Sequence, residues 1–285
     1  MTPFDWEEPD SLDEAISLLA GADERVRPMA GGTALMLMMK AGVFAPSRLV
    51  SLAKIEPRYS QIELDRNGIL RIGAMASLSQ LEQSRAAIEA FPVMRHALRT
   101  LSNVRVRNVA RVGGALGHGD PHMDLPPLLA ALGAKVSIRG PKGERELEVE
   151  KLYAGYYQTM LETGELITSV AVPPLNGAKC AYMKVTSRSA DDWPAINLGV
   201  RLEMQRGNIR DARVIVSAAT EKVTRLKQTE QILIGAAPGT EVLSKAGDCA
   251  TREVSFLSDA HGSAPYKKEL LRVYLRRSVE EACGG

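Results

Sequence analysis

The chain has 285 residues, 45% hydrophobic and 25% charged, enough for one large or two ordinary domains with a substantial core. Its 36 basic residues against 34 acidic leave a net charge of +2, which gives no basis for broad nucleic-acid or membrane-surface binding. No apolar run is long enough to span a bilayer, and the opening Phe4-Asp5-Trp6-Glu7-Glu8 is acidic where a secretory leader is basic and then apolar, so the expected location is cytoplasmic.

In chain order, Leu12, Ala15, Ile16 and Leu19 recur at helical spacing behind a Ser11-Leu12-Asp13-Glu14 start, which predicts a helix over 11–19. Val26–Met29 reads as a short strand, Ala30-Gly31-Gly32 as a tight turn, and 33–40 as a second helix. Residues 49–52 and 69–72 read as strands, the latter after a turn at Asn67-Gly68. Helical spacing returns at 78–90 and 92–101. The glycine-rich stretch 108–121 is expected to be irregular, with a short helix following through Leu128 and Leu132. Strands are predicted at 135–138 and 166–172, where Pro173-Pro174 and Asn176-Gly177 break the pattern. That break sets an expected boundary between a part of residues 1–176, itself split near 55, and a part of residues 177–285. Beyond it, 182–186, 197–204 and 209–218 form an expected antiparallel meander turning at Arg206-Gly207-Asn208, and three helical stretches follow, the last over about 265–283. The fold class is α+β with mixed sheets, a larger N-terminal part and a smaller C-terminal sheet with helices. Cys180, Cys249 and Cys283 have no CxxC or CxxxxC spacing, so this chain alone holds neither an iron–sulfur cluster nor a zinc ribbon, and reduced structural thiols are expected.

Two glycine-rich turns carry the chemical information. In Pro28-Met29-Ala30-Gly31-Gly32-Thr33-Ala34-Leu35 a strand runs into two glycines and then a helix start. Glycines admit close backbone approach, and the first turn of a helix offers unpaired N–H groups with a partial positive charge, so the segment is built like an anion site. It has neither the Gly-Lys-Ser/Thr of a Walker loop nor GxGxxG spacing, and by itself it reads first as a tightly packed strand–turn–helix. The second turn is Val109-Ala110-Arg111-Val112-Gly113-Gly114-Ala115-Leu116-Gly117-His118-Gly119-Asp120-Pro121, with four glycines in the seven residues 113–119. Gly113 and Gly114 can again direct N–H groups at phosphate oxygens. Arg105, Arg107 and Arg111 stand nearby, to add positive charge or to form a solvated basic edge. Two phosphate-type loops in one domain suit a ligand with two phosphates, such as a dinucleotide.

Together, Ala30-Gly31-Gly32-Thr33-Ala34 and Arg107-Asn108-Val109-Ala110-Arg111-Val112-Gly113-Gly114 resemble the paired signature of the FAD-binding medium subunits of molybdenum hydroxylases. That family includes the carbon monoxide dehydrogenase medium subunit and the middle domain of xanthine dehydrogenase. The resemblance runs over nearly the whole chain. It takes in Phe4-Asp5-Trp6, Asp120-Pro121 with Asp124-Leu125-Pro126, Gly164-Glu165-Leu166-Ile167, Lys184, and Asp191-Asp192-Trp193. It implies a vanillyl-alcohol-oxidase-type (PCMH-type) FAD-binding domain followed by a C-terminal domain of the carbon monoxide dehydrogenase flavoprotein type.

The resemblance also implies a cofactor site. FAD is expected to bind non-covalently, since no cysteine or histidine lies in a flavin-linking motif. Its pyrophosphate falls to Met29, Ala30, Gly31, Gly32, Thr33, Ala34 and Leu35 in one loop, and to Arg111, Val112, Gly113, Gly114 and Ala115 in the other, with His118 alongside. Asp124 is implied to accept hydrogen bonds from FAD, Ile167 to meet the isoalloxazine or its ribityl arm, and Lys184 to lie at the ring's polar edge, where a cation favours the anionic reduced flavin. Trp193 is implied to pack over the ring. Read from the residues alone, Lys184 is by default a solvent-facing strand residue, and Trp193 is equally a core or interface tryptophan. The chain departs from the family at Arg111, usually Thr or Ser, and at Ala115, usually Asn, which removes two side chains able to hydrogen-bond the phosphate or ribityl groups.

The implied function is electron relay within an oxidoreductase complex, with no catalytic residue in this chain. The molybdopterin cofactor and [2Fe-2S] clusters are then expected in a large and a small partner subunit, arranged as a dimer of heterotrimers. Two other readings stay open. One is a free-standing FAD-dependent oxidase. The other is a metal-dependent hydrolase using His118, Asp120, His122 and Asp124, whose period-two spacing would put them on one side of an extended segment. Gly119 and Pro121 interrupt such a strand, and neither a Gly-x-Ser-x-Gly elbow nor a Cys/His nucleophile pair is evident.

Overall fold

The computed structural model describes residues 2–284. Strand β1 (Asp5–Glu7), helix α1 (Leu12–Leu19), β2 (Val26–Met29), α2 (Thr33–Lys40) and β3 (Arg48–Ser51) build a three-stranded parallel sheet in the order β1-β3-β2. Parallel neighbours need a crossover, and α2 supplies it between β2 and β3. Ser11 caps α1 by accepting from the Glu14 N–H, and Leu12, Ala15, Ile16 and Leu19 pack with Val50 and Leu52. Helix α2 behaves otherwise: every residue between Thr33 and Lys40 is apolar, yet only Met39 is buried.

The next lobe holds β4 (Ile62–Leu64), β5 (Leu70–Gly73), α3 (Leu78–Gln83), α4 (Arg85–Ala90), α5 (Pro92–Thr100), α6 (Val104–Val109), α7 (Val112–Gly117), α8 (Leu125–Ala131), β6 (Lys135–Gly140), β7 (Gly143–Glu148), the short pair β8 (Tyr153–Gly155) and β9 (Gln158–Thr159), and β10 (Leu166–Val172). Its five-stranded antiparallel sheet runs β4-β5-β10-β6-β7, so the last strand made is the central one. The helix expected over 78–90 is two helices. Ser77 starts α3 with a capping box to Gln80, and Ser84 breaks the run and caps α4 through the Ala87 N–H. The stretch expected to be irregular is mostly helical: Asn103 caps α6, and α7 contains Gly113, Gly114 and Gly117. Each glycine lowers helix propensity by about 1 kcal/mol relative to alanine, which is why the composition concealed α7. Strands β1, β4 and β7 were not legible either. All three lie at sheet edges, where charged residues are tolerated and apolar alternation is not required.

The C-terminal part is β11 (Lys179–Val185), β12 (Ile196–Gln205), β13 (Asn208–Ser217), β14 (Thr224–Arg225), α9 (Lys227–Leu233), α10 (Thr240–Glu253) and α11 (Ala264–Cys283). Its sheet is an antiparallel meander in sequence order, so parallel and antiparallel strands are sorted into separate sheets across the molecule. Leu271, Leu275, Val279 and Ala282 of α11 join Leu198, Val200 and Val214 in one core. All seven residues of α8 are buried. A Cβ on Gly199 of β12 would lie 2.7 Å from the Ala131 Cβ and 2.9 Å from the Pro127 carbonyl oxygen, so this glycine admits α8 against the C-terminal sheet. Helix α8 is therefore the joint between the two parts. Among the described residues no helix is long and apolar enough to cross a membrane, and the three cysteines are free thiols.

Candidate functional site

The two glycine-rich turns meet. A Cβ on Gly31 would lie 2.2 Å from the Val109 carbonyl oxygen, so the absence of a side chain there lets the first turn close on the second. Next to it, the Ala30 Cβ is 3.6 Å from the point where a side chain on Gly114 would begin. Gly32 is the N-cap of α2 with φ of 68°, a left-handed conformation that glycine adopts without strain. Among the described residues no side chain caps this helix, so its leading N–H groups are left to an outside acceptor, in the partial positive field of the helix start.

The start of α7 is built differently. The Val112 N–H donates to the Ala76 carbonyl at 3.0 Å, and the Gly113 N–H to the Ala74 carbonyl at 2.7 Å. A Cβ on Gly113 would meet the Ala74 Cβ at 2.7 Å. Gly113, expected to direct its N–H at phosphate, instead docks α7 onto the segment following β5. Gly114 is the exposed member of the pair, and among the described residues its N–H has no backbone acceptor. Arg111 donates through Nη1 to the Met75 carbonyl at 3.3 Å, while its Nε is buried and unpartnered. A buried guanidinium N–H without an acceptor is what a bound anion would satisfy. Arg107 is committed elsewhere, holding Glu82 at 2.8 Å and the carbonyls of Leu101 and Ser102, and Arg105 is exposed. The glycine cradle, the uncapped helix and the free Arg111 Nε together fit a diphosphate.

Beyond this, Ile167 and His118 flank the far end of α7. The Ile167 Cδ1 lies 4.0 Å from where a Cβ on Gly117 would be. Strand β10 shifts register between Ile167 and Ser169, and the Thr168 carbonyl at that bulge accepts the Ala74 N–H at 3.0 Å. The His118 ring sits edge-on to Tyr157 with centroids 5.1 Å apart. Burial pushes its pKa down, against the pull of Asp120, and keeps the imidazole neutral near pH 7.

Asp124 and Lys184 find each other. Their side chains are only 8% and 5% exposed, with Nζ 3.1 Å from Oδ2. Tyr182 donates to Oδ1 of Asp124 at 2.9 Å, and Lys184 also donates to the Thr100 carbonyl at 2.9 Å, at the end of α5. Burial pushes the Asp124 carboxyl above its ordinary range, with the Lys184 charge and then the Tyr182 bond pulling it back. Lys184 is therefore no solvent-facing strand residue; its ammonium spans a seam between α5, α8 and β11. The carboxylate oxygens keep further lone pairs beyond these bonds.

His118, Asp120, His122 and Asp124 do not line one side of a strand, because Pro121 and His122 form a turn. Asp124 faces Lys184, whereas Asp120 binds His122 at 2.9 Å and His122 reaches Asp259 at 3.0 Å. Among the described residues no three His, Cys, Asp or Glu are grouped to hold a metal ion, and the four residues a metal-dependent hydrolase would draw on do not converge on one point. Trp193 is 39% exposed and edge-on to the His122 ring at 6.1 Å, so it is not a core residue. Sequence reasoning missed Tyr182, Tyr157, Asp259, His261 and Lys267. Asp259 lies 137 positions from His122, a separation no local motif spans. Lys267 did leave a signal: it falls four residues before Leu271 on the buried stripe of α11.

Residues 2–175 match the family described as the FAD binding domain in molybdopterin dehydrogenase. Residues 181–282 match the CO dehydrogenase flavoprotein C-terminal domain. The chain belongs to the FAD-binding subunits of molybdopterin dehydrogenases. It is 31% identical to the carbon monoxide dehydrogenase medium chain of Afipia carboxidovorans, over 98% of this chain and 96% of that one. It is 28% identical to the glyceraldehyde dehydrogenase medium chain of Sulfolobus acidocaldarius, over 98% of both. A chain of reconstituted CO dehydrogenase from Oligotropha carboxidovorans superposes with a TM-score of 0.93 at 31% identity, covering 99% of this chain and 98% of that one. As a medium subunit of this family the protein is an oxidoreductase component, α+β in fold, with a flavin-binding part and a C-terminal antiparallel sheet.

Proposed function

We propose that this chain carries non-covalent FAD as the electron relay of a molybdenum hydroxylase. Electrons from a molybdopterin centre in a large subunit reach it through [2Fe-2S] clusters of a small subunit, and leave to an external acceptor. The observation that carries this reading is the contact between the two glycine turns, Gly31 against Val109 and Ala30 beside Gly114. When bound, the flavin takes electrons singly and can release them as a pair, the chemistry a relay requires.

The chain's own residues divide the work of binding. The N–H groups of Thr33, Ala34 and Leu35 at the start of α2, with Gly31, Gly32 and Gly114, hold the pyrophosphate, and Arg111 adds its free Nε. Met29, Ala30, Val112 and Ala115 shape the walls, while Gly113 supports them from behind. Ile167 and His118 face the ribityl arm and ring, Asp124 accepts from the cofactor through its remaining lone pairs, and Lys184 fixes that carboxyl and opposes the upward push of burial on its pKa. Trp193 covers the ring. The division near residue 176 separates the flavin part from the C-terminal part.

Partner subunits are supported by the bare apolar surface at α2 and the turn after it, where Leu37 is 62% and Val43 73% exposed. We infer a cytoplasmic dimer of heterotrimers. The protein purified from its native source is expected to show flavin absorption and to bring two further chains, one with iron–sulfur absorption. A colourless preparation would remove the flavin assignment, and a yellow chain that turns over a substrate alone would favour a free-standing oxidase. Acid precipitation is expected to leave the yellow colour in the supernatant; colour retained by the pellet would mean a covalent link.

A further inference from the structure

We infer that His122 is a positioning residue that grips one carboxylate from each of the two parts of the chain and thereby fixes Trp193 beside the flavin site. The proposal rests on the flavin reading only for what Trp193 covers; the grip itself stands on this chain's own atoms. Nδ1 of His122 faces Asp120 at 2.9 Å and Nε2 faces Asp259 at 3.0 Å. An imidazole satisfies two carboxylates at once only when both nitrogens carry protons, so the geometry selects the imidazolium. A neutral ring would leave a buried nitrogen lone pair against a carboxylate oxygen.

The groups around it complete the charge. Asp120 also accepts from the Tyr157 hydroxyl at 2.8 Å. Asp259, in the loop before α11, also accepts from Lys267, whose fully buried ammonium donates to the Ala218 carbonyl at 3.0 Å. Two carboxylates therefore meet one imidazolium and one ammonium. The remaining neighbours are the rings of His261 at 5.3 Å, Trp193 at 6.1 Å and Tyr156 at 6.5 Å, with Asp192 preceding Trp193.

Burial opposes charge on His122, but the bonds to Asp120 and Asp259 outweigh it and hold its pKa above the ordinary value. Burial also pushes the Asp259 carboxyl up, yet Lys267 and His122 bring it down to about 2. His261 is pushed down, by burial and then by the His122 charge. The His122 contribution is complete below the unfolded imidazole value of about 6.5 and is lost as pH rises through the higher folded value. The Asp259 contribution is complete above about 3.9 and is lost as pH falls towards its depressed folded value.

Trp6 in β1 is the other tryptophan, so a Trp6→Phe background leaves Trp193 as the sole indole reporter. A protonated imidazole quenches a neighbouring indole. In full-length Trp6→Phe protein, with and without FAD, Trp193 emission is expected to rise through one step centred above the ordinary imidazole pKa. His122→Gln should remove the step and reduce the quenching of Trp193 by FAD at least about twofold, with FAD content unchanged. Asp259→Asn should move the step to lower pH, and His261→Gln should leave it in place. A step that survives His122→Gln or vanishes with His261→Gln would overturn the proposal, as would a flat profile in the parent. If His122→Gln does not fold, the Asp259→Asn shift decides. Loss of FAD binding with the step intact would count against the flavin reading and leave the grip standing.

Discussion

Purified Gly114→Val protein is expected to be folded and colourless. A Cβ at this position meets only the Ala30 Cβ, at 3.6 Å, an ordinary van der Waals contact. Gly114 is exposed, its backbone is helical, and it is not among the left-handed residues, so valine is accommodated without backbone strain. The branched side chain instead fills the space between the two turns, where the proposed reading brings the pyrophosphate to the backbone. We expect FAD affinity to fall at least roughly a hundredfold, about 2.8 kcal/mol, with little change in the melting temperature of the apoprotein. Flavin absorbance per protein and equilibrium binding of added FAD measure the effect; wild-type flavin content would remove the second turn from the site. Neighbouring glycines separate the two roles. Gly31→Val would drive a side chain into the Val109 carbonyl, and Gly32→Val would force a branched residue into a left-handed conformation, at a cost of about 1–2 kcal/mol. Both are expected to lose stability as well as flavin, so only the Gly114 substitution tests binding cleanly.

Lys184→Ala is expected to destabilise the protein by about 3–5 kcal/mol, the range for breaking a buried pair from one side. The substitution strands the Asp124 carboxylate among Tyr182 and the enclosed ends of α5 and α8. Asp124→Asn in the same protein should restore a large part of the loss, because it removes the stranded charge and keeps an acceptor for the Tyr182 hydroxyl. The deficit has a pH signature. With Lys184 gone, burial raises the Asp124 carboxyl further, so the penalty is absent below the unfolded carboxyl value and grows as pH rises through it, levelling off above the folded value. Denaturant midpoints of the two single variants and the double variant, taken across pH, measure this coupling. A Lys184→Ala midpoint equal to wild type would reduce the pair to the weak interaction of a surface ion pair. The pairing also changes the redox expectation. A lone cation beside the flavin would raise its potential, whereas a lysine already neutralised by Asp124 presents little net field, and only a small fall in midpoint potential should accompany its removal.

Both glycine turns were legible as phosphate-type loops because paired glycines admit close backbone approach, although only the first was expected to lead into a helix. Their mutual contact was not, since Gly31 and Val109 are distant in sequence and the clash that demands glycine is tertiary. The same limit separated Gly113 from Gly114. Neighbours in sequence, they do different work because Ala74 lies close behind one, whereas the other faces only the Ala30 Cβ at 3.6 Å. Lys184 and Asp124 were both singled out, but as two separate contacts to a cofactor; the burial that makes them partners depends on α8 reaching the C-terminal sheet through Gly199. Apolar periodicity located α1, α5 and the β12–β13 hairpin, and failed at α7 and the charged edge strands, where tertiary packing overrides local preference.

Because β10 is inserted between β5 and β6, a nascent chain leaving the ribosome carries two facing sheet edges without a partner until residue 172 has emerged. The Thr168 carbonyl that braces Ala74, and through it Gly113, arrives only with that strand. A polypeptide stalled or truncated before residue 166 therefore has no finished cradle and two open templates for pairing with other chains, the usual start of aggregation. The C-terminal meander, whose neighbouring strands are consecutive in sequence, closes as each hairpin is made. Synthesis thus runs from a half that must wait for its last strand to a half that need not wait, and protection of the nascent chain matters most over its first 172 residues.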